Sequence, residues 1–310
     1  MSSTESKNAK SEPTYYTPDR IAIARENISE HDWAKGLFDR VLEGDEIRYY
    51  IGPQYGPAKI YAKCDDEFMW LLQPTTRIGR VLPPEAIANC PVHGTAVRSI
   101  SPFCPYRIDP INHPYKIQCM MGGEWYPSND YAAGDLTSGE YSDDGNGCLH
   151  NGQTYYFLRE YAHMAYGSTV IPALRSLSQA YVITGDAAYG RKGAILLARL
   201  ASEYPNHQDR KDRLYFANYG GRSPKYAWKT GGMITDLIWE TFCLEGAVYS
   251  YDGLYPYLDQ DEDLLNFLKT KGLPVKTGQD LRAYIEKFLL RAGMVGLLNG
   301  DIHGNEGHHQ

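Results

Sequence analysis

Residues 153–310 carry successive amphipathic helix patterns that are separated by sharp stop and start signals. The first apolar stripe consists of Val170, Leu174, Leu177 and Tyr181. Thr184-Gly185-Asp186 follows, in which the glycine ends one helix and the aspartate caps the next. The second stripe consists of Tyr189, Gly193, Leu196, Leu200 and Tyr204, and Pro205-Asn206 marks its end. Because the connection is so short, the sequence predicts an antiparallel helix hairpin.

Two further helices follow the same rules. One carries its apolar residues at Met233, Leu237, Leu244, Val248 and Tyr251. The other follows Thr277, whose hydroxyl forms a capping-box pattern with Asp280. Its apolar face consists of Leu281, Tyr284, Ile285, Phe288 and Leu289. Successive antiparallel helix pairs build (α/α) toroids and helical solenoids, so we expect a mainly α fold.

Residues 50–152 differ from the helical part in composition and in hydrophobic pattern. Proline and glycine are frequent, nearly all the cysteines occur here, and no helical period is sustained. Stretches such as LPPEAIANCPVHG and SPFCPYRIDPINHPYKIQC are typical of turns. We therefore expect a loop-rich collar at residues 50–152 that contains at most short strands and packs against the helices.

The start of the chain divides into a polar tail and a helical segment. Residues 1–16 are polar and are predicted to be disordered. Thr17-Pro18 predicts a helix start, with a hydroxyl cap and a proline at the first helical position. Ser29 and Asp32 resemble a capping box and predict a second start. The predicted organisation is a tail at 1–16, opening helices and collar at 17–152, and helix hairpins at 153–310, the last two forming one unit.

Charge and composition limit the classes of partner that the chain can bind. The chain has 31 basic and 38 acidic residues and a formal charge of −7, which does not suit wrapping of nucleic acid. We expect no membrane span and see no secretory signal, because no stretch is long and apolar enough. Six cysteines spread through 310 residues do not indicate a disulfide framework. The 26 tyrosines favour clefts that stack on sugar rings, although most individual tyrosines fill helix contacts.

The collar contains two stretches that resemble metal sites. Cys90 and His93 are spaced as half of a zinc knuckle, and Cys119 or Cys104 are candidates for further ligands. A second closely spaced pair is missing, so we prefer ordinary buried thiols and assign no metal ligand and no cofactor. The stretch DDGNG at 143–147 lacks the distal glutamate of a calcium loop and predicts a turn.

The loop YGGRSPKYAWK at residues 219–229 combines rings and cations. Its aromatic residues are Tyr219, Tyr226 and Trp228. Its basic residues are Arg222, Lys225 and Lys229. Stacking faces beside cationic donors suit recognition of an acidic sugar, whereas the alternative is a solvated loop. We expect these six residues to bind an acidic polysaccharide or oligosaccharide.

The closing segment GDIHGNEGHHQ contains an asparagine and three histidines within a few residues. Cleavage of a uronate polymer by β-elimination removes a proton next to a carboxylate, whose charge must be neutralised. Asn305 and His309, or His308, carry side chains that can neutralise it, with His303 close by. A histidine-rich surface turn is the alternative interpretation, because such turns are common without catalysis.

Several segments together carry a family resemblance. They are CPVHG, DPINHPYKIQC, GGEWYPSND, YAHMAYGSTVIPALRSLSQAYVITGD, ASEYPNH, YGGRSPKYAWKTGGMITDLIWE and IHGNEGHHQ. Over residues 15–310 the chain resembles the amino-terminal half of the heparinase II/III-like proteins, relatives of alginate and heparin lyases. The resemblance implies an incomplete (α/α) toroid and lyase chemistry on uronate-containing polysaccharides. By position it implies that Asn305, with His309 or His308, neutralises the substrate carboxylate.

The resemblance also indicates what is missing. The family's catalytic tyrosine lies later in the toroid than Gln310, and Tyr219 and Tyr226 are not expected to replace it. We therefore expect an amino-terminal fragment. Family members are usually exported, which leaves the localisation open here.

Two other functions remain in view. An (α/α) toroid glycoside hydrolase would use paired carboxylates, for which Asp236 and Glu240 are candidates. A non-catalytic module would use the 219–229 loop to bind an acidic sugar without cleaving it. The oligomeric state is left open.

Overall fold

The described part of the protein is mainly helical. The structure is a computed structural model that describes residues 10–45, 55–80, 82, 89–102, 104–207, 232 and 238–298, with the backbone alone for 238–241 and 296–298. Strands within these ranges contain two or three residues each. The predicted mainly α class is therefore confirmed.

Two helices open the described chain. Helix α1 (Pro18–Glu30) begins as predicted, because the Thr17 hydroxyl accepts the backbone N–H of Arg20. Helix α2 (Asp32–Glu43) begins after His31, which makes no side-chain cap. The predicted capping pair of Ser29 with Asp32 is wrong. Ser29 lies in the last turn of α1, where its hydroxyl donates to the Glu26 carbonyl at 2.8 Å.

Residues 10–16 are ordered against a distant helix, whereas the sequence predicts disorder there. The Asp252 carboxylate accepts the backbone N–H groups of Thr14, Tyr15 and Tyr16 at 2.7, 2.9 and 2.9 Å. The Lys10 ammonium forms an ion pair with the same carboxylate at 2.5 Å. Residues 1–9 of the predicted tail lie outside the described part of the chain.

The described elements of the collar are short, and they include helices where the sequence predicted at most short strands. Two helices come first, α3 (Ala58–Tyr61) and α4 (Asp66–Leu71). Strands β1 (Tyr106–Ile108), β2 (Ile117–Cys119) and β3 (Trp125–Tyr126) form an antiparallel sheet in that order. Strands β4 (Cys148–His150) and β5 (Gln153–Tyr155) form a separate hairpin. Single turns of 3₁₀ helix cover 95–99 and 131–133.

The DDGNG stretch is a turn, as predicted, and it also fixes the start of the next helix. One oxygen of the buried Asp143 carboxylate accepts the N–H groups of Gly145 and Gly147, at 2.8 and 3.0 Å. The other oxygen accepts the N–H of Leu158 at 3.0 Å. Leu158 lies in the first turn of α5 (Phe157–Ala165), so a single carboxylate joins the collar turn to this helix.

The predicted helix hairpin is confirmed. Helix α5 continues through a π-helical stretch at 166–170 into α6 (Ile171–Thr184), and α7 (Ala187–Glu203) follows immediately. Gly185 ends α6 with a φ of 75°, and the Asp186 carboxylate accepts the N–H of Ala188 to cap α7. A 3₁₀ turn at 204–206 follows α7.

Helix α8 (Ile238–Leu254) packs parallel to α6. A Cβ atom at Gly246 would lie 2.7 Å from Ile171, and one at Gly253 would lie 2.5 Å from the Ser178 hydroxyl. Residues later in α6 contact residues later in α8, so the two helices run in the same direction. Glycine is required at positions 246 and 253 because a larger side chain would clash with α6 there. Tyr251 is buried as predicted, but Val248 is 44% exposed, so the predicted apolar face is only partly correct.

Three helices complete the described chain: α9 (Glu262–Thr270), α10 (Gly278–Ile285) and α11 (Ala292–Leu298), the last two joined by a π-helical stretch at 286–291. The predicted capping box at the start of α10 is confirmed, since Thr277 and Asp280 exchange side-chain to backbone bonds. Arg191 of α7 pairs with Asp66 of α4 and Asp261 before α9, both at 2.7 Å, and so ties three helices together.

Two hydrophobic cores result. The larger one contains the buried faces of α6, α7, α8 and the helices after them. The smaller one lies under the three-stranded sheet and includes one face of α5. Helix α5 thus belongs to the collar core, although the sequence places it with the hairpins. Among the described helices, none is both long and apolar enough to cross a membrane.

Candidate functional site

The residues predicted to act on the substrate lie outside the described part of the chain. This holds for the proposed carboxylate neutralisers Asn305, His308 and His309. It also holds for the predicted sugar-binding residues Tyr219, Arg222, Lys225, Tyr226, Trp228 and Lys229. Of the alternative hydrolase pair, Asp236 lies outside it and Glu240 is described by its backbone alone.

The two described residues that flank residues 208–231 are hydrogen-bonded to each other. His207 follows the turn that ends α7, and the N–H of Gly232 donates to the His207 carbonyl at 3.0 Å. Gly232 has a φ of 130°, and a Cβ atom there would lie 3.0 Å from the Tyr204 ring. Glycine is therefore required where the chain returns. We call His207 and Gly232, the described residues on either side of residues 208–231, the stem.

The side chain at the stem is a buried, neutral histidine. The Nε2 atom of His207 lies 2.9 Å from the Tyr166 hydroxyl, which in turn donates to the Pro74 carbonyl at 3.3 Å. Burial, and then the nearby Arg80 cation, lower the pKa of His207 to about 3. Because the imidazole stays neutral at ordinary pH, it serves as a fixed hydrogen-bonding group rather than as a cation for the substrate.

A buried ion pair lies next to the stem. Arg199 and Glu203 of α7 pair at 2.6 Å, and the other Glu203 oxygen accepts both the N–H and the hydroxyl of Thr76, at 2.9 and 2.8 Å. The Arg199 guanidinium also lies over the Trp70 ring, 4.8 Å from its centre. These contacts join the collar to the end of α7, next to His207 of the stem.

A second polar surface lies on the open face of the three-stranded sheet. Arg107, Gln118 and Trp125 are cross-strand neighbours and line a cleft between the sheet and the α2–α3 region. The Arg107 Nε donates to Gln118 at 2.6 Å, and the Trp125 ring stacks on His113 with centres 3.9 Å apart. This row offers a ring, an amide and a cation to a ligand. Sequence reasoning missed it because the three residues meet only through strand pairing.

The collar also brings together two thiols, an imidazole and a carboxylate. The sulfurs of Cys90 and Cys119 lie 3.5 and 3.7 Å from the Nδ1 atom of His93. The Nε2 atom of His93 lies 3.7 Å from Glu124 Oε1. Potential ligand atoms of all four residues lie within 4.8 Å of one another. We call Cys90, His93, Cys119 and Glu124 the collar cluster.

The groups around the collar cluster are arranged as donors to sulfur. The N–H groups of Gly122 and Met121 donate to the Cys119 sulfur, and burial raises the pKa of this thiol. The Tyr126 hydroxyl lies 3.6 Å from the Cys90 sulfur, and burial raises the pKa of Tyr126, so the hydroxyl keeps its proton for donation. Both cysteines are fully buried, whereas His93 and Glu124 are partly exposed.

Two sequence-based expectations about the cysteines can be compared with the structure. All six cysteines are free thiols, in agreement with the expected lack of a disulfide framework. Cys104, one of two candidates for a further metal ligand, is not in the collar cluster; its thiol donates to the buried Glu160 carboxyl at 3.5 Å. Glu124 is in the cluster but was not a candidate, because it belongs to no closely spaced pair.

Comparisons with known proteins give no relative. No protein-family model, no curated protein sequence and no solved structure matches this chain.

Proposed function

We propose that this chain belongs to a polysaccharide lyase that cleaves uronate-containing polysaccharide by β-elimination. The observation that carries the proposal is the position of the resembling segments in the fold. YAHMAYGSTVIPALRSLSQAYVITGD covers the end of α5 and all of α6, and ASEYPNH covers the end of α7 and His207 of the stem. The stem flanks residues 208–231, which include the residues that we propose bind the substrate.

The finer architecture is part of the same proposal. Helix α7 lies between α6 and α8 in the sequence and runs antiparallel to α6, whereas α8 runs parallel to α6. An (α/α) toroid repeats this alternation of helix directions. We propose that these helices are part of an incomplete toroid and that the collar packs on its rim.

The chemistry assigned to the site follows from the substrate. Removal of the proton next to the uronate carboxylate leaves a negative charge, and Asn305 with His309 or His308 would donate hydrogen bonds to that carboxylate. In the loop, the rings of Tyr219, Tyr226 and Trp228 would stack on sugars, and Arg222, Lys225 and Lys229 would bind acidic groups. In the family that the chain resembles the base is a tyrosine, and we propose that the residues named here supply binding and charge neutralisation.

An activity assay tests the reaction. This chain and a form that continues past Gln310 are incubated with alginate-like and glycosaminoglycan-like polymers, and the absorbance of unsaturated uronate is followed. We expect the longer form to release unsaturated products from an acidic polymer and not from a neutral one. Asn305→Ala and His309→Ala should each lower its rate by about 100-fold or more, as loss of a group that stabilises developing charge does.

A binding measurement separates the alternatives. The chain should bind the acidic polymer more weakly as salt rises, and the Arg222→Ala/Trp228→Ala double variant should abolish binding. Lys276→Ala removes an exposed cation elsewhere and should leave binding unchanged. Binding without unsaturated products from either form would instead favour the non-catalytic module. Saturated products that are lost on Asp236→Asn would favour the hydrolase.

A further inference from the structure

Two tight turns of the same construction face each other in the collar. In the first, Cys90 and Gly94 exchange backbone hydrogen bonds of 3.2 and 2.8 Å. In the second, the N–H of Gly123 donates to the Cys119 carbonyl at 2.8 Å. Each turn begins with a cysteine and ends four residues later with a glycine at positive φ, 57° for Gly94 and 85° for Gly123. In the first turn the side chains at the first and fourth positions meet, with the Cys90 sulfur 3.5 Å from His93 Nδ1.

The two turns differ at the fourth position, and in the second turn another residue fills the space of the missing side chain. The first turn has His93 there, whereas the second has Gly122. A Cβ atom built on Gly122 would lie 2.2 Å from Glu124 Oε1, 2.5 Å from Glu124 Oε2 and 2.3 Å from His93 Cε1. The Glu124 carboxylate therefore occupies the space that a fourth side chain of the second turn would fill.

One oxygen of this carboxylate lacks a partner. Glu124 Oε2 is buried and accepts no hydrogen bond from the described residues. A carboxylate oxygen removed from water without a partner is costly, and such groups are usually paired or coordinate a metal. The Glu124 carboxylate offers one oxygen within 4.8 Å of a ligand atom of Cys90, His93 and Cys119, so a cation bound among these four residues would pair with it.

We propose that Cys90, His93, Cys119 and Glu124 bind one zinc ion. In a tetrahedral zinc site, with Zn–S near roughly 2.3 Å and Zn–N near roughly 2.0 Å, sulfur and nitrogen ligands lie about 3.6 Å apart. The two sulfur-to-Nδ1 distances of 3.5 and 3.7 Å match this spacing. The binding site goes beyond the proposed lyase function and does not depend on it.

The ligand set selects zinc over other common ions. Thiolates and an imidazole in a four-ligand arrangement suit zinc, whereas magnesium and calcium take six or more oxygens. The N–H groups of Gly122 and Met121 and the Tyr126 hydroxyl supply hydrogen bonds to the two sulfurs, as groups around metal ligands commonly do. Four protein ligands leave no open position for substrate, so the site is structural.

The ion would fasten the loop before β1 to the turn between β2 and β3. This part of the collar has short strands and a small core, and the Tyr106 hydroxyl already joins β1 to the Asn89 carbonyl. Zinc binding in such a site contributes directly to folding.

Metal analysis of the complete 310-residue chain, expressed without a polyhistidine tag, tests the proposal. We expect one zinc per chain by mass spectrometry after dialysis against weak chelator. Replacement of zinc by cobalt should give thiolate-to-cobalt charge-transfer bands and intense visible bands of a four-coordinate ion. These spectra need no substitution, so they remain informative even if a variant fails to fold. A chain that holds no zinc, or a cobalt spectrum without thiolate bands, would overturn the proposal.

Variants identify the ligands. Cys90→Ser and Cys119→Ser should each abolish stoichiometric zinc, and Glu124→Gln should weaken zinc binding at least tenfold. Cys104→Ser is the matched control, because its thiol lies in the collar but outside the cluster, and zinc should be retained. The triple variant His303→Ala/His308→Ala/His309→Ala should also retain zinc. If this variant loses it, the metal belongs to the terminal histidines and the proposal fails, whatever the outcome for lyase activity.

Removal of the carboxylate tests the role of Glu124 most sharply. Glu124→Ala should weaken zinc binding. A side chain at Gly122 would not replace the carboxylate, because a Cβ atom there would still lie 2.3 Å from His93 Cε1. Unchanged affinity in Glu124→Ala would contradict its role as the fourth ligand.

Discussion

Asp252 is the residue that holds residues 10–16 on helix α8. Its side chain is only 7% exposed and accepts hydrogen bonds from Lys10 and from the backbone of Thr14, Tyr15 and Tyr16. Burial alone raises the pKa of Asp252, but the bonds from Lys10 and the three N–H groups outweigh it and hold the pKa at about 2. The ionised carboxylate thus stabilises the folded chain.

Asp252→Asn should destabilise the protein by about 2 kcal/mol at neutral pH, because it leaves N–H donors and an ammonium without their acceptor. Because the pKa of Asp252 is lowered in the folded state, its contribution to the free energy of unfolding is full above the unfolded pKa of 3.8. This contribution is lost as the pH falls toward 2. Urea unfolding of both proteins measures it. Asp39→Asn, an exposed carboxylate on α2, should change stability by less than about 0.5 kcal/mol. Equal effects of the two substitutions would contradict the role of Asp252.

Two buried groups should give opposite pH dependences of stability. The folded pKa of His207 is about 3 against 6.5, so its contribution is full above pH 6.5 and is lost as pH falls. Burial raises the pKa of Glu160 from 4.5 to about 7, so its contribution is full below pH 4.5 and is lost as pH rises.

The two slopes can be separated by substitution. His207→Gln should remove the contribution to the free energy of unfolding that rises with pH. Glu160→Gln should remove the contribution that falls with pH. Each should change the difference in unfolding free energy across the window by at least about 1.4 kcal/mol, the equivalent of one pKa unit. Denaturant unfolding at several pH values between 4.5 and 7 measures both. A slope that is unchanged in either variant would show that the group titrates alike in both states.

Residue roles were predictable where neighbours in the sequence determine them. Thr17, Asp186 and Thr277 cap helices within their own first turn, so local pattern sufficed. The spacing of Cys90 and His93 was noted as half of a zinc knuckle for the same reason, although ordinary buried thiols were preferred. Glu124 was not noted, because its relation to His93 arises only when two separate turns meet.

Helix ends give the clearest prediction at the scale of elements. Gly185 connects α6 to α7 with a φ of 75°, and no atom lies within 4 Å of a Cβ placed there. Gly185→Ala therefore tests the backbone alone and should destabilise by about 1 kcal/mol, since a Cβ disfavours this conformation. Gly36→Ala lies in exposed α2, also with free space, and should stabilise by about 0.5–1 kcal/mol. Thermal unfolding distinguishes the two, and a stabilising Gly185→Ala would contradict the assigned turn.

Elements were predictable to the extent that their signals are local. The hairpin of α6 and α7 follows from its apolar stripes and its glycine-aspartate connection. Ser29 was misinterpreted because α1 continues through it to Glu30, where the hydroxyl bonds back to Glu26 instead of capping α2. The short strands of the collar carry no periodic pattern over two or three residues, so their pairing could not be derived.

Long-range contacts determine how the parts of the molecule are arranged, and the sequence pattern did not predict these contacts. The Asp252 contacts join residues at opposite ends of the chain, and the close approach of α6 to α8 depends on Gly246 and Gly253. Helix α5 joins the collar core because the Asp143 turn fixes its first residues. The collar, held by the proposed zinc ion, and the helices, with the stem at His207, form the frame in which we propose that a uronate polymer binds.

The proposed β-elimination is tested most directly by cleaving a uronate polymer in water labelled with heavy oxygen, using a form of the protein that continues past Gln310. Elimination adds no water across the cleaved bond. Mass spectrometry should therefore show products with an unsaturated uronate end and without heavy oxygen at the new reducing end. Products that carry heavy oxygen and no double bond, or a polymer that stays intact with every acidic substrate, would contradict the lyase function.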